Sequence, residues 1–487
     1  MGARLDLKPS SLLTKVAYRF DLDSQLNLAY YMSLVDIAHS LLSMQAGITP
    51  KDSGLALLQA LLELHHYPET LNPSPEAGDL YTNREAWLAT QTDAVEWYGC
   101  GRARREATTA AFLLHTRSSL LQLSGTITGL ADSLIRVASQ HREALMPDYT
   151  YLQSAQPTSF GHYLLSFTYP MLRDLDRLRT AYDRVNSSPL GCGSTNGSRL
   201  AIDRNLAAES LGFSSLSTHA RDAMWQIDLP IELTALLSAC IINADRLAED
   251  LQVFATQEFG LVELSDSHSR ASKIMPQKKN PFALTHIRAV ANEIIGVSTS
   301  VSACARSPSG QPDNRLLVYD MLPTAFTKVI STLALLAEVV QELSIDGERG
   351  QALVTPETLA TDLAETLVLE SDLPPRLAHH LVGHLIRTHK NKLRNLSVKQ
   401  IEAAAWKQFR LRISLDSNSL DKAMNAKQAL KSRSMEGGTG PGPFRHMLEQ
   451  CQSSIDCQKV WLAREAKRLQ KIENQLLRQA KKLTDSN

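Results

Sequence analysis

One stretch of the chain concentrates the groups that could do chemistry: Ser269-Arg-Ala-Ser-Lys-Ile-Met-Pro-Gln-Lys-Lys-Asn-Pro281. It offers hydroxyls at Ser269 and Ser272, ammonium groups at Lys278 and Lys279, and an amide at Asn280. Asn followed by Pro reads as a helix start, with Asn280 as N-cap and Pro281 in the first helical position. A loop feeding a helix N-terminus presents unpaired N–H groups and the positive end of a dipole, which with two cations suits a carboxylate ligand. An ordinary capped loop would carry the same start signal, so these residues alone leave both readings open.

The elements that must position this loop are helical. Leu233, Leu236, Leu237, Cys240, Ile241, Ala244, Leu247, Ala248 and Leu251 recur at three-to-four spacing and make one wide apolar stripe. Tyr163–Ala181, Phe282–Ala303 and Thr324–Leu343 behave alike, and period-two alternation bounded by hairpin turns is nearly absent. Turn-rich stretches at Leu71–Gly78, Asn186–Gly197, Ser307–Asn314 and Glu436–Pro443 mark loops or boundaries. The Lys/Arg-rich segment Val460–Lys482 reads as a helix with a solvated basic face.

With 487 residues the chain exceeds a single core, and we expect an all-α fold in three parts: an N-terminal helical domain (1–98), a central long-helix bundle with the reactive loop (99–347) and a C-terminal helical domain (348–487). Lys plus Arg and Asp plus Glu both number 51, so no basic field points to nucleic acid or anionic lipid, and a small ligand is expected. Six scattered cysteines without metal-type pairing fit reduced thiols and a cytoplasmic protein. The N-terminus lacks an apolar signal core and has Asp6 where a myristoylation signal wants Ser or Thr. No run of 18 apolar residues occurs, and the nearest candidate, Leu229–Ala244, is interrupted by Pro230, Glu232 and Asn243.

The reactive stretch resembles the Gly-Ser-Ser-x-Met-Pro-x-Lys-x-Asn-Pro signature of the aspartase/fumarase (fumarate lyase) superfamily, and its Gln-Lys-Lys version is similar to argininosuccinate lyases. Met146-Pro-Asp-Tyr-Thr-Tyr-Leu-Gln-Ser-Ala-Gln-Pro157 resembles that family's MPGYTHLQRAQP. Ser188-Pro-Leu-Gly191 with Ile202-Asp-Arg204, Arg246–Leu251, Gln257–Leu264 and Gly437-Gly-Thr439 extend the likeness over most of the chain. The resemblance implies a homotetramer with a twenty-helix core, active sites shared by three subunits, no cofactor and no metal. It implies a β-elimination that yields fumarate. Ser272, six positions before Lys278, then matches the base that removes the Cβ proton. Lys278 and Asn280 match the groups holding the carboxylate beside the acidic carbon, where negative charge develops. Serine is a weak base at its ordinary pKa, so the loop is expected to act as a lid that excludes water. By the same resemblance Thr150, Gln153, Arg102, Arg104, Arg105, Arg221 and Met275 fall at substrate-binding positions.

The departures from the family are as informative. Its general acid is the histidine of Tyr-Thr-His-Leu-Gln, and Tyr151 stands there; the histidine's glutamate partner is Thr285, and Phe282 replaces a further acidic residue. Gly101-Arg-Ala-Arg-Arg-Glu106 keeps Arg102 and Arg104 but puts Ala103 and Arg105 where a serine and an asparagine touch substrate. Asp313, Val318 and Met321 replace the tyrosine, glutamine and lysine of the argininosuccinate pocket. A positioned acid contributes about 10² to 10⁴ in rate for a strongly basic leaving group. The sequence therefore points to a carbon–nitrogen lyase acting on a substituted succinate whose leaving group needs less help, such as nitrite from nitrosuccinate, with Tyr151, His162 or His286 as substitute proton donors. Argininosuccinate cleavage with a rearranged acid, and a catalytically silent homologue, are the competing readings.

Overall fold

The computed structural model describes residues 7–200, 202–311, 313–389 and 393–485, and the side chains of Asp313 and Asn314 lie outside what it describes, as do residues 1–6. The chain is helical, as its apolar spacing requires. After short helical turns between Ser11 and Leu28, the first long helices are α1 (Ala29–Gln45) and α2 (Lys51–His66), and beyond a shorter helix, Leu80–Gln91, comes α3, a 37-residue rod from Arg104 to Gln140. A hairpin, β1 (Leu145–Thr150) with β2 (Gln153–Ser159), leads to α4 (Thr168–Val185) and α5 (Asp228–Phe254). The loop bearing Ser272 is pinched by β3 (Arg270–Ala271) and β4 (Lys279–Asn280), and α6 (Phe282–Cys304) and α7 (Asp313–Gln341) follow. Farther on come α8 (Ala360–Ser371), α9 (Pro375–His389), α10 (Val398–Phe409) and α11 (Pro441–Asp485).

The stripe on α5 is buried as its spacing demands: Leu233, Leu237, Ile241, Ala244, Leu247, Ala248 and Leu251 are fully covered. It packs on α6 and α7, while α3 takes α7 on one flank and α4 and α11 on the other. At about 1.5–3 kcal/mol per buried large aliphatic side chain, such stripes outweigh the weak intrinsic stability of any single helix. One apolar cluster runs from Leu22 to Ala480, and a second gathers α8, α9 and α10 through Leu363, Leu367, Leu381, Leu385 and Ile401. The basic tail is part of a longer helix: α11 begins at Pro441, inside the glycine-rich run, and buries Phe444, Cys451, Ile455, Trp461 and Leu476 on one side.

Three expectations change. The hairpin had no clear alternation signal because its inward residues are mostly polar or proline. The best candidate for a membrane-length apolar helix is Arg315–Gln341 rather than Leu229–Ala244, and half of its most apolar window is buried inside the protein. Asn280 is not an N-cap, because it pairs with Arg270 in the β3–β4 ladder and Pro281 occupies the capping position ahead of α6. None of the six cysteines forms a disulfide.

Candidate active site

The reactive loop is built from its own backbone. Arg270 pairs with Asn280 and Ala271 with Lys279; the Ser272 N–H then donates to the Lys278 carbonyl at 3.1 Å, and the Lys278 N–H donates to Met275 at 3.1 Å. Inside this turn the Ser272 hydroxyl oxygen accepts the N–H of Met275 at 3.0 Å and of Ile274 at 3.4 Å. Backbone donors aimed at an oxygen favour its anionic form, so this arrangement could stabilise an alkoxide at Ser272. The two cations differ in employment. Lys279 is clasped by Glu263 at 2.9 Å and Asp266 at 2.8 Å, which raises its pKa through those two hydrogen-bonded carboxylates and ties down the stem. Lys278 is exposed and has no ion-pair partner among the described residues, which leaves its ammonium for a ligand. The Asn280 amide donates to the Arg270 carbonyl at 2.9 Å and the Ser269 hydroxyl to Ser265 at 2.9 Å, so both brace the stem in this conformation. Met275 and Ile274 project outward at the tip.

Thr150 and Gln153 face each other at the end of the hairpin, joined by Tyr151 and Leu152 with φ of 55° and 56°. Two consecutive positive φ values give the primed two-residue turn that hairpin twist favours, in residues with no glycine to ease it. Tyr151 is 99% exposed at the tip of the turn. His162, the nearby alternative donor, is occupied: one ring nitrogen meets Thr158 at 3.3 Å and the other the Gly437 carbonyl at 3.1 Å, fastening the hairpin base to the Gly437–Thr439 loop. Thr285 and His286 sit exposed on the first turn of α6.

The arginines gather elsewhere. Arg102 is buried: its guanidinium lies against Asp36 at 2.6 Å, beside Arg84 at 2.8 Å from the same carboxylate and the Tyr98 hydroxyl at 2.9 Å. In this chain it ties the 99–104 turn to the core through Asp36. Arg104 and Arg105 instead open α3, where Ala103 provides no side-chain cap, and they line a cleft with Asp21, Asp79, Ser194, Arg315 and Tyr319. Arg104 pairs with Asp79 at 3.1 Å, and Arg105 lies over the Trp225 ring at 4.9 Å. Arg221 ties the 305–311 loop through the Ser309 carbonyl and hydroxyl, at 3.1 and 3.0 Å. Val318 is buried and Met321 packs on the main core. Residues passed over in the sequence include Arg315, Ser194, Trp225 and Glu106, whose carboxylate accepts the Gly191 and Gly193 N–H groups and so shapes the Ser188–Gly193 turn. Glu106 closes the Gly101–Glu106 match and could have been found there; Trp225 gave no signal.

These groups lie at opposite ends of the bundle. Arg104 starts α3 and the hairpin follows its end, so a 37-residue helix separates Arg105 from Thr150 by about 55 Å at 1.5 Å per residue. The Ser272 loop precedes α6, and Arg315 lies beyond its other end, a span of 23 helical residues or about 35 Å. One chain thus brings Thr150 and Ser272 to the same end of the bundle but neither of them to the arginine cleft.

Residues 82–296 match the family described as Lyase, and residues 357–431 the Argininosuccinate lyase C-terminal family. The chain is 31% identical over 454 residues to an argininosuccinate lyase of Methanothrix thermoacetophila, covering 92% of this chain and 91% of that one. It is 32% identical over 432 residues to that of a Synechococcus species, covering 86% of each. Among solved structures, EDDS lyase in complex with formate superposes with a TM-score of 0.88 at 23% identity, covering 100% of this chain and 98% of that one. Class II fumarase from Schistosoma mansoni superposes at 0.68 and 15% identity, covering 85% and 92%.

Proposed function

Since this chain belongs to the argininosuccinate lyase family and is a carbon–nitrogen lyase that releases fumarate, we propose that Ser272 is its base and that its substrate is a succinate whose nitrogen substituent departs without a histidine acid. Ser272, as alkoxide, takes the Cβ proton. The electron pair of that C–H bond becomes the new double bond through an aci-carboxylate stabilised by Lys278 and Asn280, and the C–N pair leaves with the nitrogen. The observation that carries this reading is the pair of backbone N–H groups on the Ser272 oxygen, beside an unspent Lys278. They lower the cost of forming the alkoxide where the carboxylate would sit.

The choice of leaving group follows from the proton inventory. His162 is already hydrogen-bonded on both nitrogens, which leaves the exposed Tyr151, next in sequence to Thr150, and the exposed His286 as donors. A nitro group leaves as nitrite with no proton, so nitrosuccinate heads the candidates, followed by N-substituted aspartates whose amine is protonated when bound. The separation of the arginine cleft from the Ser272 loop supports a site completed by other copies of the chain, in keeping with a homotetramer that shares each site among three subunits.

The test is direct. Purified protein offered nitrosuccinate, N-substituted aspartates and argininosuccinate should form fumarate from at least one, and Ser272→Ala should lower that rate by about 10² to 10⁴, the usual worth of a positioned base. A Ser272→Ala variant that keeps a tenth of the parental rate would remove serine from the role.

A further inference from the structure

Two lysines stand side by side at the foot of the reactive loop, and only one of them can face a ligand. The ladder of β3 and β4 continues through the Ser272 N–H, which donates to the Lys278 carbonyl at 3.1 Å. Along an extended segment successive side chains point to opposite faces, so whichever lysine turns to the body of the protein sends its neighbour the other way. Lys279 is the one that turns: its ammonium lies 2.9 Å from Glu263 and 2.8 Å from Asp266. Lys278 and Asn280 fall on the opposite face.

The wall that holds Lys279 is anchored. Glu263 lies in a two-residue strand, Val262–Glu263, paired with Ser344–Ile345, and the side chains on either side of it, Val262 and Leu264, are buried. Asp266 opens a short helical turn that ends at the buried His268, and Ser267 ties that turn to Glu342 at 2.8 Å. The leg leading into the loop is fastened to this wall through Ser269, whose hydroxyl donates to the Ser265 carbonyl at 2.9 Å and whose N–H donates to Asp266 at 3.2 Å. The leg leading out has a different support. The Asn280 amide reaches only back to Arg270 across the stem, and a cleft of about 620 Å³ is lined by Gln277, Lys279 and Pro281 from this leg and by Glu263, Ser344 and Asp346 from the wall. Packing across such a space fixes little, and the two ion pairs of Lys279 bridge it.

We infer that Glu263 and Asp266 are positioning residues for the elimination: by claiming Lys279 they fix the outgoing leg of the loop, so that Lys278 and not Lys279 meets the substrate carboxylate, with the Ser272 turn held beside it. Both carboxylates act through Lys279 and neither touches the substrate. The inference rests on the roles of Ser272 and Lys278 in the proposed reaction, while the hold of the clasp on the loop does not depend on turnover. An exposed ion pair shifts an equilibrium by up to about fivefold, so the clasp biases the loop toward its working position without locking it there.

The experiment uses the full-length protein with three changes: Lys279→Met, Lys279→Arg, and Glu263→Gln combined with Asp266→Asn. Amide hydrogen exchange across residues 269–281 should run about fivefold faster in Lys279→Met and in the double variant, and stay near parental in Lys279→Arg. Fumarate affinity, measured by calorimetry on the Ser272→Ala background, should weaken about fivefold in the same two and recover in Lys279→Arg. Charge alone would drive those two apart, because one loses a cation and the other loses two anions, so a joint loss marks positioning. The kcat for fumarate release should fall by a similar factor while the unfolding midpoint holds, since exposed pairs add little stability. Parental exchange and affinity in the double variant would overturn the inference. So would loss of fumarate binding in Lys279→Met alone, because Lys279 would then be the group that meets the ligand. If Ser272→Ala keeps its turnover, or no compound is turned over, the proposed reaction fails, and exchange with fumarate affinity still decides whether the clasp positions the loop.

Discussion

Replacing Arg102 by methionine should lower stability and spare the chemistry, which separates it from its neighbours in the same sequence match. Asp36 is fully buried and shared by the Arg84 and Arg102 guanidiniums and the Tyr98 hydroxyl, at 2.8, 2.6 and 2.9 Å. Burial alone would raise its pKa, and the two guanidiniums more than offset that, holding it below the usual carboxylate value. Removing one partner of a buried ion pair costs about 3–5 kcal/mol, because the remaining charge is left without compensation. With Arg84 and Tyr98 still in place, the lower end, about 3 kcal/mol, applies. At roughly 2 °C per kcal/mol for a large cooperative unit, the unfolding midpoint falls by about 6 °C. Thermal unfolding is followed at fixed protein concentration, since assembly shifts the apparent midpoint, and kcat/KM for fumarate release is measured well below that midpoint. An unchanged midpoint together with a tenfold rise in KM would refute this reasoning and return Arg102 to the ligand.

Tyr151→Phe distinguishes the leaving groups. With an amine that needs a proton, kcat should fall by about 10², whereas with nitrosuccinate it should hold steady; equal loss on both would mean that the ring binds substrate rather than donating a proton. A second prediction concerns pH. His39 is pushed down to about 3, first by burial and then by the Arg102 charge, and it meets the Cys100 carbonyl at 2.9 Å. Between its unfolded value near 6.5 and its folded value, the unfolded chain holds a proton that the folded chain does not. His39 therefore contributes stability above about pH 6.5 that drains away as the pH falls toward its folded value. His39→Gln should flatten the fall in unfolding midpoint between pH 7 and pH 5, and parallel slopes for variant and parent would show that the ring does not set it.

The sequence by itself determined the helical architecture and the reactive loop. The apolar stripe of α5 forces one face inward wherever that helix sits, and the Ser272–Lys278–Asn280 spacing is local enough that its own backbone turn realises it. Local spacing misled where a partner decides: Asn280 reads as a cap until β3 claims it, and the burial of Arg102 on Asp36, 66 residues away, has no local sign either. Arg105 is legible in the sequence as a substitution in a family motif, but the company it keeps, Arg315 in the same cleft and the Trp225 ring beneath it, has no signature in the chain. Helix length is legible in the sequence, but only packing reveals that α3 and α6 hold the arginine cleft and the serine loop at opposite ends. The physical reason is that a helix face and a tight turn are set by residues a few positions apart. A buried charge and a shared cleft depend on groups brought together from distant segments, whose pairing the chain does not write down.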